Sequence, residues 1–399
     1  MNRRNNMKRI AIPLLLSLSL LLSGCQNTDT GSNGGDSAST GAESVAVIDT
    51  AALFSDRDLD GSYDESAAVH IQLEGETAVC DSDAVSIDGS RITLLDEGTY
   101  LVSGALTDGQ IVVDAGDTDK VQIVLASASL TCADSAAIYS KSADKVFLTL
   151  AEGTENTLTN GGSYTAIDKN NIDSVVFSKT DLTLNGSGSL TIDAQAGHGV
   201  VSKDELTING GTFTVDSVDD CLHSGGALAV TGGTFTLSSG DDAIHSDDAV
   251  TIRAGEFSIP YCYEGVEGLS VTVEGEAFDV TAHDDGFNAA GGADSSDFGG
   301  MDEPFAASED SFITVNGGTI TVVSDGDCLD SNGDLTVNGG TLDLTCNGNG
   351  NTALDCSGSY TNNGGSVTTN DGSETNSGGR SGNRLEEERE PLPSGRPKA

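Results

Sequence analysis

Short stretches in which apolar and polar residues alternate recur along the chain about every 22 residues. The segments 206–215 (LTINGGTFTV) and 228–237 (LAVTGGTFTL) nearly repeat each other at this spacing. The units are rich in Thr, Val and Ile and are interrupted by Asn-Gly or Gly-Gly, which are strand and turn signals. The apolar residue after each turn marks the series: Phe213, Phe235, Phe257, Phe278, Ile320, Leu342 and Val367.

Coils this short carry only a small apolar face, which they can bury by stacking on their neighbours. A hairpin meander is the alternative, but near-identical coils favour stacking. The pattern therefore predicts an all-β chain folded as a right-handed, single-stranded parallel β-helix with coils of about 22 residues. Looser units upstream, such as 121–125 and 146–150, predict wider coils of the same solenoid. The acidic, Gly-rich interval 289–311 is expected to replace one coil with a loop, either solvated or covering a binding face.

A second motif recurs with the same period and carries the candidate chemistry. Stacking aligns an apolar column (Leu222, Ile244, Val266, Phe287, Leu329, Leu354) between an acidic column (Asp220, Asp242, Glu264, Asp285, Asp327) and a mixed column (His223, His245, Glu267, Asn288, Asp330, Asp355). Carboxylates about 5 Å apart repel one another, so a proton or a cation must compensate them. Ca²⁺ takes six to eight oxygen ligands, whereas the alternative is that each Asp-Asp pair only forms a turn. The predicted calcium ligands are Asp219, Asp220, Asp241, Asp242, Glu264, Glu267, Asp284, Asp285 and Asp327.

The segment Asp56–Glu65 opens like an EF-hand loop, but Ala67 stands where the bidentate Glu belongs. A bound ion and an ordinary turn both remain open there. The eight cysteines show no CxxC pair that would suggest zinc, and Cys221 and Cys328 fall among small core residues. With Cys25 modified, seven cysteines remain, so at least one is expected to lack an intramolecular partner.

Composition and the chain ends indicate where the protein works. The formal charge is −45, with 63 acidic and 18 basic residues, which excludes nucleic acid as a natural partner. Residues 1–24 have a basic start and an apolar run before Cys25, which predicts a lipoprotein signal peptide and a lipidated Cys25. We expect a flexible linker over 25–45, one domain over 46–369 and a disordered tail over 370–399. The protein is then secreted and lipid-anchored to the outer face of a bacterial cell membrane.

Several further segments are distinctive as a set: Asp56–Leu59, Ala137–Tyr139 with Ala143–Val146, Thr154–Leu158, Phe177–Lys179 with Asp181–Leu184, Tyr263–Gly268 and Asp284–Asn288. Together they resemble the bacterial carbohydrate-binding β-helix family. The resemblance covers most of residues 46–368. It implies a secreted β-helix similar to pectate lyases that contains calcium and binds cellulose or acidic sugars such as polygalacturonate, without demonstrated cleavage. Cys221 and Phe287 depart from the Gly and the smaller aliphatic residue expected at those positions.

Function classes within this fold differ in the side chains they need. A lyase needs a cationic base, and Arg253 is the only Arg or Lys between Asp204 and Gly379. A polygalacturonase-like hydrolase would use Gly197–Gly199 and Asp219–Cys221, but their order is reversed, so His198 is expected to be an ordinary coil residue. We therefore predict non-catalytic, calcium-dependent polysaccharide binding that favours acidic glycans, with Tyr261 and Tyr263 as stacking platforms. A lyase or hydrolase and a purely structural surface spacer are the alternatives.

Overall fold

The protein is an all-β solenoid, with parallel strands stacked in about 10 turns that lie roughly 24 residues apart. The computed structural model describes residues 54–166, 168–289 and 310–375. The predicted parallel β-helix is confirmed, with slightly fewer and longer coils than the C-terminal repeat alone suggests. The predicted signal peptide, Cys25, the linker 25–45 and most of the tail lie outside the described residues. No helix among the described residues is long and apolar enough to cross a membrane.

The described part of the chain contains the following strands and one 3₁₀ helix. In chain order they are β1 (Val69–Gly75), β2 (Ala78–Val79), β3 (Val85–Asp88), β4 (Arg91–Leu94), β5 (Gly98–Leu106), β6 (Gln110–Asp114), β7 (Lys120–Cys132), β8 (Ile138–Ser142), β9 (Lys145–Leu150), β10 (Glu155–Asn160), β11 (Ser174–Ser178), β12 (Asp181–Gly186), β13 (Ser189–Ala194), β14 (His198–Ser202), β15 (Leu206–Ser217), β16 (Leu222–Ser224), β17 (Leu228–Ser238), β18 (Ile244–Ser246), β19 (Ala249–Ile252), β20 (Glu256–Cys262), β21 (Val266–Glu267), β22 (Ser270–Val273), β23 (Ala277–Ala282), β24 (Phe287–Ala289), β25 (Phe312–Val315), β26 (Thr319–Ser324), β27 (Leu329–Ser331), β28 (Asp334–Val337), β29 (Thr341–Cys346), β30 (Leu354–Cys356), β31 (Tyr360–Asn362), β32 (Ser366–Thr369) and the 3₁₀ helix Ser373–Thr375.

Each central coil contributes to three parallel strand ladders. The first half of β15 pairs with β12 and its second half pairs with β13, and both halves pair with β17 of the next coil. The short strand β16 forms the third ladder by pairing with β14 and β18. This third ladder follows the Asp-Asp corners, so the strand pairing itself fixes how the corner side chains stack.

Aromatic stacking inside the solenoid holds the repeating coils at one spacing. The rings of Phe235 and Phe257 are 4.5 Å apart, and those of Phe257 and Phe278 are 4.4 Å apart, with interplanar angles of 2° in both cases. The preceding Gly255 has a φ of +138°, and a Cβ there would lie 2.9 Å from the Phe257 ring. A glycine is therefore required at this turn both for the backbone conformation and for close packing.

The N-terminal described segment packs against the ladder that contains β9, β12 and the first half of β15. Asp58 is buried against Lys145, with Oδ1 2.7 Å from the Lys145 Nζ, and it also accepts a hydrogen bond from the Thr183 hydroxyl. Leu59 accepts a hydrogen bond from the Asn209 side chain through its carbonyl oxygen. The Asp58 carboxylate of the EF-hand-like segment thus serves an ion pair that fastens this segment to the solenoid.

Candidate functional site

Two columns of polar side chains run along the corner of the third ladder. Leu222, Ile244, Val266, Phe287, Leu329 and Leu354 pair successively in that ladder. The apolar column predicted from the repeat is therefore confirmed. We call the residues on its N-terminal side the first corner column (His198, Asp220, Asp242, Glu264, Asp285, Asp327) and those on its C-terminal side the second corner column (His223, His245, Glu267, Asn288, Asp330, Asp355).

The structure divides the predicted calcium ligands into a buried set and a surface set. The buried set is Asp220, Asp242, Glu264, Glu267, Asp285 and Asp327, none of which is more than 8% exposed. Asp219 and Asp284 are half-buried, and Asp241 is exposed. Within each Asp-Asp pair the second acid is the more buried one, so the two acids of a pair differ in their access to solvent.

Backbone contacts between coils fix one oxygen of several buried carboxylates. Asp220 accepts a hydrogen bond from the Asp242 N–H through Oδ1 at 3.0 Å. Asp285 accepts one from the Asp327 N–H in the same way at 2.7 Å. These carboxylates cap the backbone of the following coil with one oxygen, and in Asp220 the other oxygen contacts His223 of the second corner column. A structural role and a ligand role are therefore compatible in one side chain.

Imidazoles join the carboxylates at the N-terminal end of the columns. Asp220 Oδ2 lies 3.1 Å from His198 Nδ1 and 2.9 Å from His223 Nδ1. One coil further on, His245 Nδ1 lies 2.9 Å from both Asp242 Oδ2 and Glu267 Oε2. Val200 pairs with Leu222, which places His198 in register with Asp220 at the start of the first corner column. The spacing of 22 residues between these two positions was the signal available in the sequence.

Burial and neighbouring charges move the pKa values of the corner acids in opposite directions. Burial raises the pKa of Asp242 and of Glu264 well above the usual range, and neighbouring carboxylates add to the increase. For Asp220, burial alone would raise the pKa, but the contacts with His198 and His223 lower it overall. In the middle of the columns the charged form of these acids is therefore disfavoured unless a proton or a cation compensates it.

At the C-terminal end the columns contain only oxygen ligands. One carboxylate oxygen from each of Asp327, Asp330 and Asp355 lies within 4.8 Å of the others. Asp327 and Asp330 are buried, and Asp355 is half-buried. This donor set fits a hard cation such as Ca²⁺, whose oxygen bonds are about 2.3–2.6 Å long. The repeat analysis placed Asp330 and Asp355 in one column but did not show that they converge with Asp327.

The predicted aromatic platforms lie beside the exposed acids. Tyr261 and Tyr263 are both half-buried, and the Tyr261 ring meets His283 edge-on at 5.1 Å. Backbone hydrogen bonds of 2.8 Å join Tyr263 to Asp241 on one side and to Asp284 on the other. Tyr263 therefore occupies the coil between two surface acids.

An open groove of about 420 Å³ crosses the outer face of β17, β20, β23 and β26. Its exposed lining is made of hydroxyl and carboxylate side chains, including Thr236, Glu256, Ser258 and Asp279. Arg253 lies elsewhere, with its guanidinium 5.9 Å from the centre of the Phe54 ring. Among the described residues, those that line the groove include no cationic side chain.

Comparison with known proteins identifies the family. The profile of the carbohydrate-binding domain-containing protein family matches residues 88–350 and 241–383. A curated protein of that description from Acetivibrio thermocellus is 36% identical over 135 residues, which are 33% of this chain and 47% of the relative, so the chain spans about half the relative's length. The solved structure of the polysaccharide lyase-like protein from C. thermocellum, a gadolinium derivative, is similar with 24% identity and a TM-score of 0.44, over 76% of this chain and 94% of that one. The chain belongs to the family of carbohydrate-binding domain-containing proteins.

Proposed function

We propose that this protein binds polysaccharide at the cell surface without cleaving it, that bound calcium is required, and that acidic glycans such as polygalacturonate are preferred. The observation that carries the proposal is the position of Tyr263 between Asp241, which is exposed, and Asp284, which like Tyr263 is half-buried. A tyrosine ring offers a flat surface for a pyranose, and the flanking carboxylates supply oxygen ligands.

A bound calcium ion would offset the electrostatic repulsion between this acidic protein and an acidic polysaccharide. The formal charge of −45 repels a polyuronate, so direct contact between the two would be unfavourable. Asp219, Asp241 and Asp284 would hold calcium at the surface, while Asp327, Asp330 and Asp355 would hold it within the corner columns. A calcium ion supplies positive charge and open coordination positions that uronate carboxylates can occupy.

The side chains available argue against a lyase. Proton abstraction next to a uronate needs a base that can reach the sugar, and Arg253 lies beside Phe54 on a different part of the coil from the Tyr263 column. A hydrolase would need an acid accessible to the glycosidic bond, whereas Asp220, beside His198, is only 4% exposed. Both features favour binding over cleavage.

The test measures retention and cleavage in the same sample. The full chain is passed over immobilised polygalacturonate with calcium and with excess EDTA, and the eluate is assayed for unsaturated and reducing sugar ends. We expect calcium-dependent retention without new ends. Replacing both Tyr261 and Tyr263 with Ala should weaken retention by roughly 1 kcal/mol per ring, while Val218→Ala, a change at an exposed aliphatic residue, should not. Equal retention in EDTA, or release of oligosaccharides, would contradict the proposal.

A further inference from the structure

His245 has polar partners on both sides of its ring. Its Nδ1 lies 2.9 Å from Asp242 Oδ2 and 2.9 Å from Glu267 Oε2. Its Nε2 lies 3.4 Å from Asp247 Oδ1 on the solvent side. The side chains of Asp242 and Glu267 are each only 6% exposed. One ring nitrogen is therefore directed at two buried carboxylates and the other at an exposed one.

This arrangement is typical of a metal-bound histidine. A ligating imidazole usually donates its other ring N–H to a carboxylate, which fixes the tautomer. Asp247 can accept the Nε2 proton of His245, and that tautomer leaves the Nδ1 lone pair facing Asp242 and Glu267. Three lone pairs converging on one buried point require a cation between them, or else a proton on Nδ1.

We propose that Asp242, His245 and Glu267 form a binding site for a first-row divalent transition ion such as Zn²⁺, distinct from the calcium sites. An imidazole nitrogen suits zinc, whereas calcium selects oxygen. Tetrahedral zinc bonds of about 2.0–2.1 Å separate neighbouring ligand atoms by about 3.3 Å. The observed contacts of 2.9 Å need to open by only a few tenths of an ångström to admit the ion.

The other two clusters of potential ligands in the described ranges are less suited to zinc. His198 Nδ1 accepts a hydrogen bond from the Asp220 N–H at 3.1 Å, which engages its lone pair. The cluster of Asp327, Asp330 and Asp355 offers oxygen alone. His245 is also open to solvent, since its side chain is 17% exposed and that of Asp247 is 61% exposed. An ion can therefore enter on the side of the His245 ring, and water can complete its coordination.

The experiment measures binding of the metal itself, so its outcome does not depend on polysaccharide binding. The full chain is stripped with EDTA and dialysed at neutral pH against Zn²⁺, with Ca²⁺ in large excess. Co²⁺ replaces Zn²⁺ in a parallel sample, where the intensity of the visible absorption reports tetrahedral coordination. We expect an ion that Ca²⁺ does not displace, and we expect His245→Asn to lose it. Asn fits this position because Asn288 occupies the equivalent position two coils further on.

Two further variants separate a metal site from a structural ion pair. Asp247→Asn should weaken Zn²⁺ binding by about 10- to 100-fold, because Asp247 orients the imidazole without touching the ion. Asp248→Asn, a change at the neighbouring exposed acid, should leave Zn²⁺ binding unchanged. The proposal is overturned if the unmodified chain binds no Zn²⁺, if Ca²⁺ displaces the ion, or if His245→Asn binds as well as the unmodified chain. Calcium-dependent retention of polygalacturonate by His245→Asn would show that the two functions are separate.

Discussion

The imidazole rings of His223 and His245 stack with their centroids 4.8 Å apart and their planes 3° from parallel. The separation matches the distance between neighbouring strands in a sheet, so the two rings repeat with the coil. Each ring also contacts the carboxylate three residues before it, His223 with Asp220 and His245 with Asp242, at 2.9 Å in both cases. The sequence repeat therefore produces the same contact between a histidine and an aspartate in two successive coils.

The stability of the metal-free protein should fall as the pH rises from 5 to 8. Asp242 and Glu264 have raised pKa values, so the folded chain keeps protons that the unfolded chain releases above about pH 4. Burial lowers the pKa of His245, but its hydrogen bonds to Asp242 and Glu267 and the charges of Asp220 and Glu267 raise it to about 12. His245 therefore contributes with the same sign above about pH 6.5. Thermal melts in EDTA should give a lower Tm at pH 8 than at pH 5. A Tm that is constant or rises over this range would contradict the assignment.

Removing one buried carboxylate should stabilise the metal-free protein. Glu264→Gln keeps an oxygen that can accept the hydrogen bond from the Asn288 amide but removes a buried charge. We expect a gain on the order of 1 kcal/mol at pH 8, or about 2 °C in Tm for a chain of this size, and a weaker pH dependence. Glu256→Gln is the control, because Glu256 is exposed in the groove and its charge is solvated. Destabilisation of Glu264→Gln in EDTA would show that the carboxylate is compensated by another group.

The ion pair between Asp58 and Lys145 should anchor the N-terminal segment. Their side chains are 3% and 12% exposed, so Asp58→Ala leaves an ammonium group buried without its partner. We expect a loss of about 3–5 kcal/mol of stability, with faster proteolysis near residue 58. Asp144→Ala removes an exposed ion pair with Lys120 and should cost at most about 1 kcal/mol. Equal effects of the two changes would show that burial does not strengthen the Asp58 contact.

Arg253→Ala should leave polygalacturonate retention largely intact, and neither form should shorten the polymer. Arg253 is exposed beside Phe54, and binding through calcium needs only oxygen ligands. Retention on the immobilised polymer and the appearance of new sugar ends are measured for both proteins. Steady release of oligosaccharides that stops in Arg253→Ala would move the protein to the lyases.

The sequence alone determined the architecture because the period of 22 residues is visible in it. Phe213, Phe235 and Phe257 recur at that spacing, and identical units can bury such residues only by stacking. The same period placed Leu222 beside Ile244 and Asp220 beside Asp242, and the strand pairing confirms this register. Position along a column therefore follows from counting residues.

Only the tertiary structure decided which side chains of the two corner columns meet. Counting aligns Asp242 with Glu264, yet the contacts of His245 join Asp242 to Glu267 across the apolar column, which depends on the bend of the coil. Burial could not be read from the sequence either, because Asp219 and Asp220 are chemically identical, yet Asp219 is half-buried and Asp220 is buried. The sequence repeat determines how far apart equivalent side chains lie along the stack of coils. The path of the backbone at each corner determines which side chains face one another, and so which of them can bind the same ion.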